Sequence, residues 1–240
     1  MSRQPTAILL DVGGVFLLPS RDHIRSALRQ VGHAIDQDQA IDRAHYVAAR
    51  VFPMDLEDTA NLGPYWTEYL KLYARTVGVP EDTNDQAVEH LRNEYVTGAL
   101  WSQVIEGSRD GLAELVAGGV PVGIVSNSDG TIERRLDEMG ICQVGPGGGV
   151  EVRCFVDSGA VGVEKPDPRI FDFALDALDL EPDGVWYVGD TPGFDVVGAR
   201  RAGLEPLLMD PYDVSGDLDV TRVASLRQVA EMAASSRSAL

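Results

Sequence analysis

Short apolar runs that end in polar residues alternate along this chain with longer stretches of helical period. Residues 6–11, 120–125 and 185–189 are almost uniformly apolar, and each stops abruptly. The first stops at Asp11 ahead of Gly13 and Gly14, the second at Ser126 and Asn127, the third at Gly189 and Asp190. Runs of this kind are strands covered on both faces, which is the habit of a parallel sheet. Residues 152–156 and 206–209 are weaker candidates, the latter ending at Asp210. Helical periodicity fills the gaps at 109–118, 131–139, 167–178 and 194–202. Ser128 or Asp129 is placed to cap the second of these helices and Gly140 to stop it, Pro168 sits near the first turn of the third, and Gly203 ends the fourth. Strand and helix in alternation predict an α/β fold with a doubly wound parallel sheet, a Rossmann-like core.

Residues 20–98 break the alternation. They hold no convincing strand and four helical stretches, at 20–31, 36–52, 64–77 and 84–97. The expected organisation is therefore an α/β core from residues 1–17 plus 104–240, with an all-helical cap domain, 18–103, inserted after the first strand and lying over the sheet's carboxyl edge. Residues 145–149 read as a flexible glycine loop and residues 233–240 as a frayed tail.

Composition narrows the partners. The chain has 240 residues, 44% of them hydrophobic, so it carries enough apolar sequence for a real core despite a formal charge of -18. An acidic protein with no basic run longer than Arg134-Arg135 or Arg200-Arg201 is unsuited to nucleic acid or to anionic membrane surfaces, both of which require clustered cations. No apolar run approaches the roughly 18 residues of a spanning helix. Met1 to Pro5 lead straight into the first strand without a signal-peptide core, and Cys142 and Cys154 read as reduced, buried thiols; together these predict a cytoplasmic protein. Nothing in the pattern selects between a monomer and a homodimer.

Parallel strands place their carboxyl ends at one edge, where ligands bind in this fold class. Asp11, Ser126, Asp190 and Asp195 can therefore meet, and Lys165, just before a helix, can reach them. Three carboxylates against one ammonium leave two negative charges, which a divalent cation cancels. Hard oxygen ligands favour Mg2+, and the chemistry such a site suggests is phosphoryl transfer.

The segments Asp11-Val-Gly-Gly-Val15, Val-Ser126-Asn127-Ser, Glu-Lys165-Pro-Asp-Pro and Val-Gly-Asp190-Thr-Pro-Gly-Phe-Asp195 resemble, in order, the four motifs of the haloacid dehalogenase (HAD) superfamily. The insertion resembles the C1-type cap of its subfamily I. This resemblance implies a hydrolase, a phosphatase of small phosphorylated metabolites. Asp11 would be the nucleophile, forming an aspartyl-phosphate. Asp11, the backbone carbonyl of Gly13, Asp190 and Asp195 would serve the metal. Ser126 and Asn127 would hold or support the phosphate loop, and Lys165 would neutralise developing charge.

One position departs from that pattern. The family's usual phosphatase has a second aspartate two residues after the nucleophile, as general acid and base; here it is Gly13. General acid–base help is worth ~10²–10⁴ in rate. Three explanations remain open: a substrate with a good leaving group, a proton supplied by the cap (from His23, Asp22 or His45), or a catalytically weak binding or regulatory protein. The alternative enzyme is a 2-haloacid dehalogenase, against which the intact Gly189-Asp190 and the absence of an aromatic residue at position 13 both count. Phosphonate cleavage would need a cap lysine, and Lys71 is the only lysine in the insertion. Trp66, Tyr65 and Tyr69 are expected in the core of the helical insertion, Asp167 as a helix cap, and Asp172, Asp176 and Asp179 on a solvated face. His33 and His90 lack partners at metal-ligand spacing.

Overall fold

β1 (Ala7–Leu10) is buried along its whole length and runs into β2 (Leu17–Pro19) through the turn that carries Gly13 and Gly14. The structure is a computed structural model, and it describes residues 4–56, 62–96 and 100–237. Among these, α1 (Arg21–Arg29), α2 (Asp38–Ala49), α3 (Gly63–Thr76) and α4 (Glu81–Val96) follow β2 without an intervening strand. β3 (Trp101–Val104) then returns the chain and pairs antiparallel with β2. This two-stranded ribbon is the passage between sheet and helices in both directions.

The alternating part continues with α5 (Ser108–Ala117), β4 (Val122–Ser126), α6 (Ile132–Glu138), β5 (Cys142–Val144) and β6 (Val150–Val152). Then come β7 (Cys154–Asp157), α7 (Ser158–Val161), α8 (Arg169–Leu178) and β8 (Val185–Gly189). A π-helical turn over Pro192–Val196 leads into α9 (Val197–Arg201), and the chain ends with β9 (Glu205–Met209), β10 (Thr221–Val223) and α10 (Leu226–Arg237). The main sheet has the order β10-β9-β8-β1-β4-β7, and all its pairings are parallel. The expected doubly wound α/β fold is present, with β1 between β8 and β4.

Side chains of successive strand residues point to opposite faces, and the core divides accordingly. Ile8, Leu10, Ile124 and Val188 pack on one face with α5 and α10 residues such as Leu112 and Val229. Ala7, Leu9, Val125 and Tyr187 pack on the other with Phe171 and Leu175 of α8. The helical segment has its own cluster, including Ile24, Leu28, Ile41, Tyr73 and Leu91, and Phe194 from the π-helical turn joins it.

Several expectations need correction. The run 152–156 is not one strand: it breaks at Arg153, leaving β6 paired with β5 and β7 paired with β4. β10, α10 and the β2–β3 ribbon carry too little periodicity of their own to be read in advance; neighbours pair or cover them. Residues 233–237 are not a frayed tail, because α10 continues to Arg237 with Ala233 buried in the core; residues 238–240 lie outside the described residues. The cap of α6 is also different. Asp129 turns back onto Thr131, while Asp157, at the end of β7, accepts from the Ile132 amide at 3.2 Å. A carboxylate distant in sequence thus takes the place of the local cap. Pro168, not Asp167, stands at the N-cap of α8, but Asp167 one residue before it accepts from the Arg169 amide at 3.0 Å. Cys142 and Cys154 are free, buried thiols. No helix among the described residues is long and apolar enough to cross a membrane.

Candidate active site

The sheet order sets the site. β1, β4 and β8 are adjacent and parallel, so the residues just past their carboxyl ends meet at one edge. Carboxylate oxygens of Asp11, Asp190 and Asp195 all lie within 4.8 Å of one another, each buried. The edge opens into a cleft of about 550 Å³ lined by these residues and by Gly13, Ser126, Asn127 and Lys165.

Lys165 is 2% exposed, and its ammonium is the hub of the cluster. Nζ donates to Asp195 Oδ1 at 2.7 Å and to the Tyr187 hydroxyl at 2.7 Å, and lies 2.9 Å from Asp11 Oδ1. Burial alone presses the ammonium toward its neutral form, but Asp11 and Asp195 outweigh it and hold its pKa above the ordinary lysine value. Asp11 is raised to about 7, first by burial, with Lys165 opposing and Asp195 and Asp190 adding to the rise. The cluster thus carries more negative charge than one lysine can balance.

Asp195 is engaged on both oxygens. Oδ1 accepts from Lys165 and from the Tyr187 hydroxyl at 3.1 Å, and Oδ2 accepts from the Thr191 amide at 2.8 Å. The π-helical turn makes this possible by curling Asp195 back under Thr191. Gly189 leaves the space: a Cβ there would stand 2.3 Å from the Asp195 Cγ. Gly14 does the same for Asp190. Its φ is +63° and a Cβ would lie 2.3 Å from the Asp190 Cγ, so position 14 requires glycine on both counts.

Asn127 joins the second strand end to the lysine loop, with its side chain paired to the Lys165 backbone. Ser126 is buried and lines the cleft. Asp11 Oδ1 and Asp190 Oδ2 are buried oxygens that accept no aligned hydrogen bond. Each has a cation or ring nitrogen close by, Lys165 and His45, but at angles poor for donation.

The helical segment supplies the rest of the cleft. His45 of α2 is 2% exposed; its Nδ1 is 2.8 Å from the Tyr69 hydroxyl and its Nε2 is 2.8 Å from Asp190 Oδ2. Of the three titratable residues singled out in that segment, it is the one that lines the cleft; the Asp22 side chain is almost fully exposed, and His23 is half-buried away from the cleft. Trp66 and Tyr69 pack in the helical cluster and also face the cleft. Lys71 pairs with Glu68 outside it.

Two contributors escaped the sequence reading. Tyr187 lies inside an apolar strand run where only its hydroxyl hints at a polar partner, and Trp101 lies at the end of the insertion, after its helices, at a position with no motif around it. Alternation along β8 would have placed Tyr187 on the same face as Gly189, which is the one usable signal.

A parallel α/β sheet with a buried carboxylate–lysine cluster at its carboxyl edge defines an enzyme-like architecture in which strand ends carry the chemistry. The chain belongs to the haloacid dehalogenase-like hydrolase family, whose description it matches over residues 5–203, and it is a hydrolase of that family. It is 35% identical over 122 residues to a phosphoserine phosphatase of Thermus thermophilus, an alignment covering 49% of this chain and 46% of that protein. It is 28% identical over 184 residues to the mouse haloacid dehalogenase-like hydrolase domain-containing protein 3, covering 75% of this chain and 70% of the other. Among solved structures, a magnesium-bound HAD hydrolase of Bacillus subtilis superposes with a TM-score of 0.59 at 16% identity, covering 96% of this chain and 99% of that one, a likeness of fold.

Proposed function

We propose that the protein is a Mg2+-dependent phosphomonoester hydrolase acting on a small phosphorylated metabolite through an aspartyl-phosphate on Asp11. The observation that carries this reading is the convergence of the Asp11, Asp190 and Asp195 carboxylates within 4.8 Å, with the Lys165 ammonium against two of them. The phosphatase name of the Thermus thermophilus relative supports the substrate class.

The residues present fit a magnesium ion. Asp11 Oδ1 and Asp190 Oδ2 are buried hard oxygens without aligned donors, and the cluster has negative charge to spare. Asp11, Asp190 and the Gly13 carbonyl would hold the ion. Asp195 would serve the ion from beside it, since its own oxygens already accept from Lys165, Tyr187 and Thr191. When bound, Mg2+ supplies electrophilic stabilisation of the phosphoryl oxygens.

The chain's own residues do the remainder. Asp11 attacks phosphorus, and the bond to the leaving oxygen breaks. Lys165 stays charged and offsets the charge gathering between Asp11 and the phosphoryl group. Asp195 and Tyr187 keep its ammonium at that point. Ser126 and the amides after it receive phosphate oxygens, and Asn127 keeps the lysine loop in register. Residues 18–103 form a cap over residues 1–17 plus 104–240, closing the cleft against water through Phe52, Trp66 and Tyr69.

The test is a panel of phosphate esters with and without Mg2+, with Asp11→Asn as control. Hydrolysis that requires the metal and falls by at least about 10³-fold in the variant is expected. Normal metal binding with no hydrolysis of any ester would leave the protein as a binding member of its family.

A further inference from the structure

The side chain missing at position 13 has been replaced in space. A Cβ built on Gly13 would meet three atoms of the Trp101 indole, Cζ3 at 3.4 Å, Cη2 at 3.8 Å and Cε3 at 3.9 Å. The place from which a residue two beyond the nucleophile could protonate a leaving oxygen is therefore faced by an aromatic ring. Trp101 is held there from two sides. Its ring stands edge-on to His45, with centroids 5.1 Å apart and planes at 87°, and its carbonyl accepts from the Arg135 guanidinium.

Among the described residues lining the cleft, two titratable side chains that could stand in for that donor have partners of their own. His45 has one ring nitrogen on the Tyr69 hydroxyl and the other against Asp190. Asp129, at the rim, accepts from the amide and hydroxyl of Thr131. Beyond Trp101 the wall is aromatic. Phe52 lies 5.0 Å from Trp66 and 4.6 Å from Phe194 between ring centroids, and Trp66 lies 5.4 Å from Tyr69. The cleft thus has a charged floor and an aromatic upper wall.

Resting on the phosphatase reading, we infer that this cleft takes phosphomonoesters of phenolic hydroxyls, and that Trp101 selects the leaving group by stacking on its ring. A phenol has a pKa of about 10, as in tyrosine, and departs as a phenolate without a proton. An alkoxide is about as basic as hydroxide, whose parent water has a pKa of about 15.7, and it needs the donor that position 13 lacks. The atoms balance as follows. An Asp11 oxygen bonds to phosphorus while the bond from phosphorus to the aryl oxygen breaks, and the phenolate leaves with the electron pair. Water then attacks phosphorus, the bond to Asp11 breaks, and the carboxylate returns. The attacking water gives its proton to solvent, and the phenolate takes one from solvent.

The experiment compares, with Mg2+, phenyl phosphate, an ordinary alkyl phosphate, and a fluorinated alkyl phosphate whose alcohol matches phenol in acidity. Without a general acid, phenyl phosphate should exceed the ordinary alkyl ester by about 10²-fold or more in kcat/KM. It should exceed the acidity-matched ester by about two- to tenfold, through KM, because only the ring can stack. Trp101→Phe should keep most of that second advantage and Trp101→Ala should lose it. Should the alanine variant not fold, wild-type binding decides: phenylphosphonate should quench tryptophan fluorescence and bind more tightly than methylphosphonate. Equal rates on all three esters, or equal affinity for the two phosphonates, would overturn the inference while leaving the phosphatase reading intact. No hydrolysis of any ester would overturn both.

Discussion

Asn127 and Lys165 exchange two hydrogen bonds across 38 residues of chain: Asn127 Nδ2 donates to the Lys165 carbonyl at 3.0 Å, and the Lys165 amide donates to Asn127 Oδ1 at 2.8 Å. The amide side chain acts as a splint between the end of β4 and the loop before α8. The lysine backbone is thereby placed so that the side chain reaches inward to Asp11 and Asp195.

Removing the splint should cost both stability and rate. Asn127→Ala leaves a part-buried donor and acceptor of the Lys165 backbone to find new partners, a loss of about 1 kcal/mol or more. We expect a fall in kcat of about tenfold or more with a smaller change in KM, since the loosened group acts through Lys165. Denaturant melts and steady-state kinetics on one ester measure the two effects; a KM effect alone would assign Asn127 to substrate binding.

Gly189→Ala and Gly14→Ala should each disturb one carboxylate. The new methyl would lie 2.3 Å from the Asp195 Cγ or the Asp190 Cγ, so the carboxylate must move. Gly14→Ala adds the strain of a positive φ, about 1–2 kcal/mol. Calorimetric Mg2+ titration should show at least a tenfold affinity loss in Gly14→Ala. Gly189→Ala should act mainly on turnover, because Asp195 positions Lys165.

Restoring an acid at position 13 should need room. The Trp101 ring would touch the new Cβ at 3.4 Å and limits the directions a carboxyl there can take, so Gly13→Asp alone should gain little. Combined with Trp101→Ala it should raise turnover of alkyl phosphates by about tenfold or more and of phenyl phosphate less. A gain equal for both esters would mean that leaving-group protonation is not the step affected.

The two thiols offer a check on the core. Burial pushes Cys142 from 9.0 up to about 12 and Cys154 from 9.0 up to about 11. The folded protein holds both protons, so this contribution to stability is complete below pH 9.0 and is lost as pH rises toward those values. At pH 8 a thiol-disulfide reagent should react with the native protein at least about 10²-fold more slowly than with the unfolded chain. Equal rates would show that β5 and β7 open readily.

The strand ends were legible because burial on both faces leaves an unmistakable apolar run, and the polar residue that stops it is local in sequence. Asp11, Ser126 and Asp190 could be read that way, and Lys165 with them from its loop. The insertion's helices were legible from periodicity for the same local reason. His45 was only one of three candidates, because a histidine's role depends on what faces it, and the helix that carries it meets the core only after folding. Asp157 as the cap of α6 and Tyr187 as a partner of Lys165 were hidden because each acts on a residue more than 20 positions away.

Sequence alone determined the alternation of apolar runs and helical stretches, hence a parallel sheet with its polar residues gathered at one edge, because burial and local periodicity act between near neighbours. The tertiary structure decided which of those residues touch. It set Lys165 between Asp11 and Asp195, turned His45 onto Asp190, and laid the Trp101 ring against Gly13. Such contacts arise from packing between segments far apart in the chain, which no local pattern encodes.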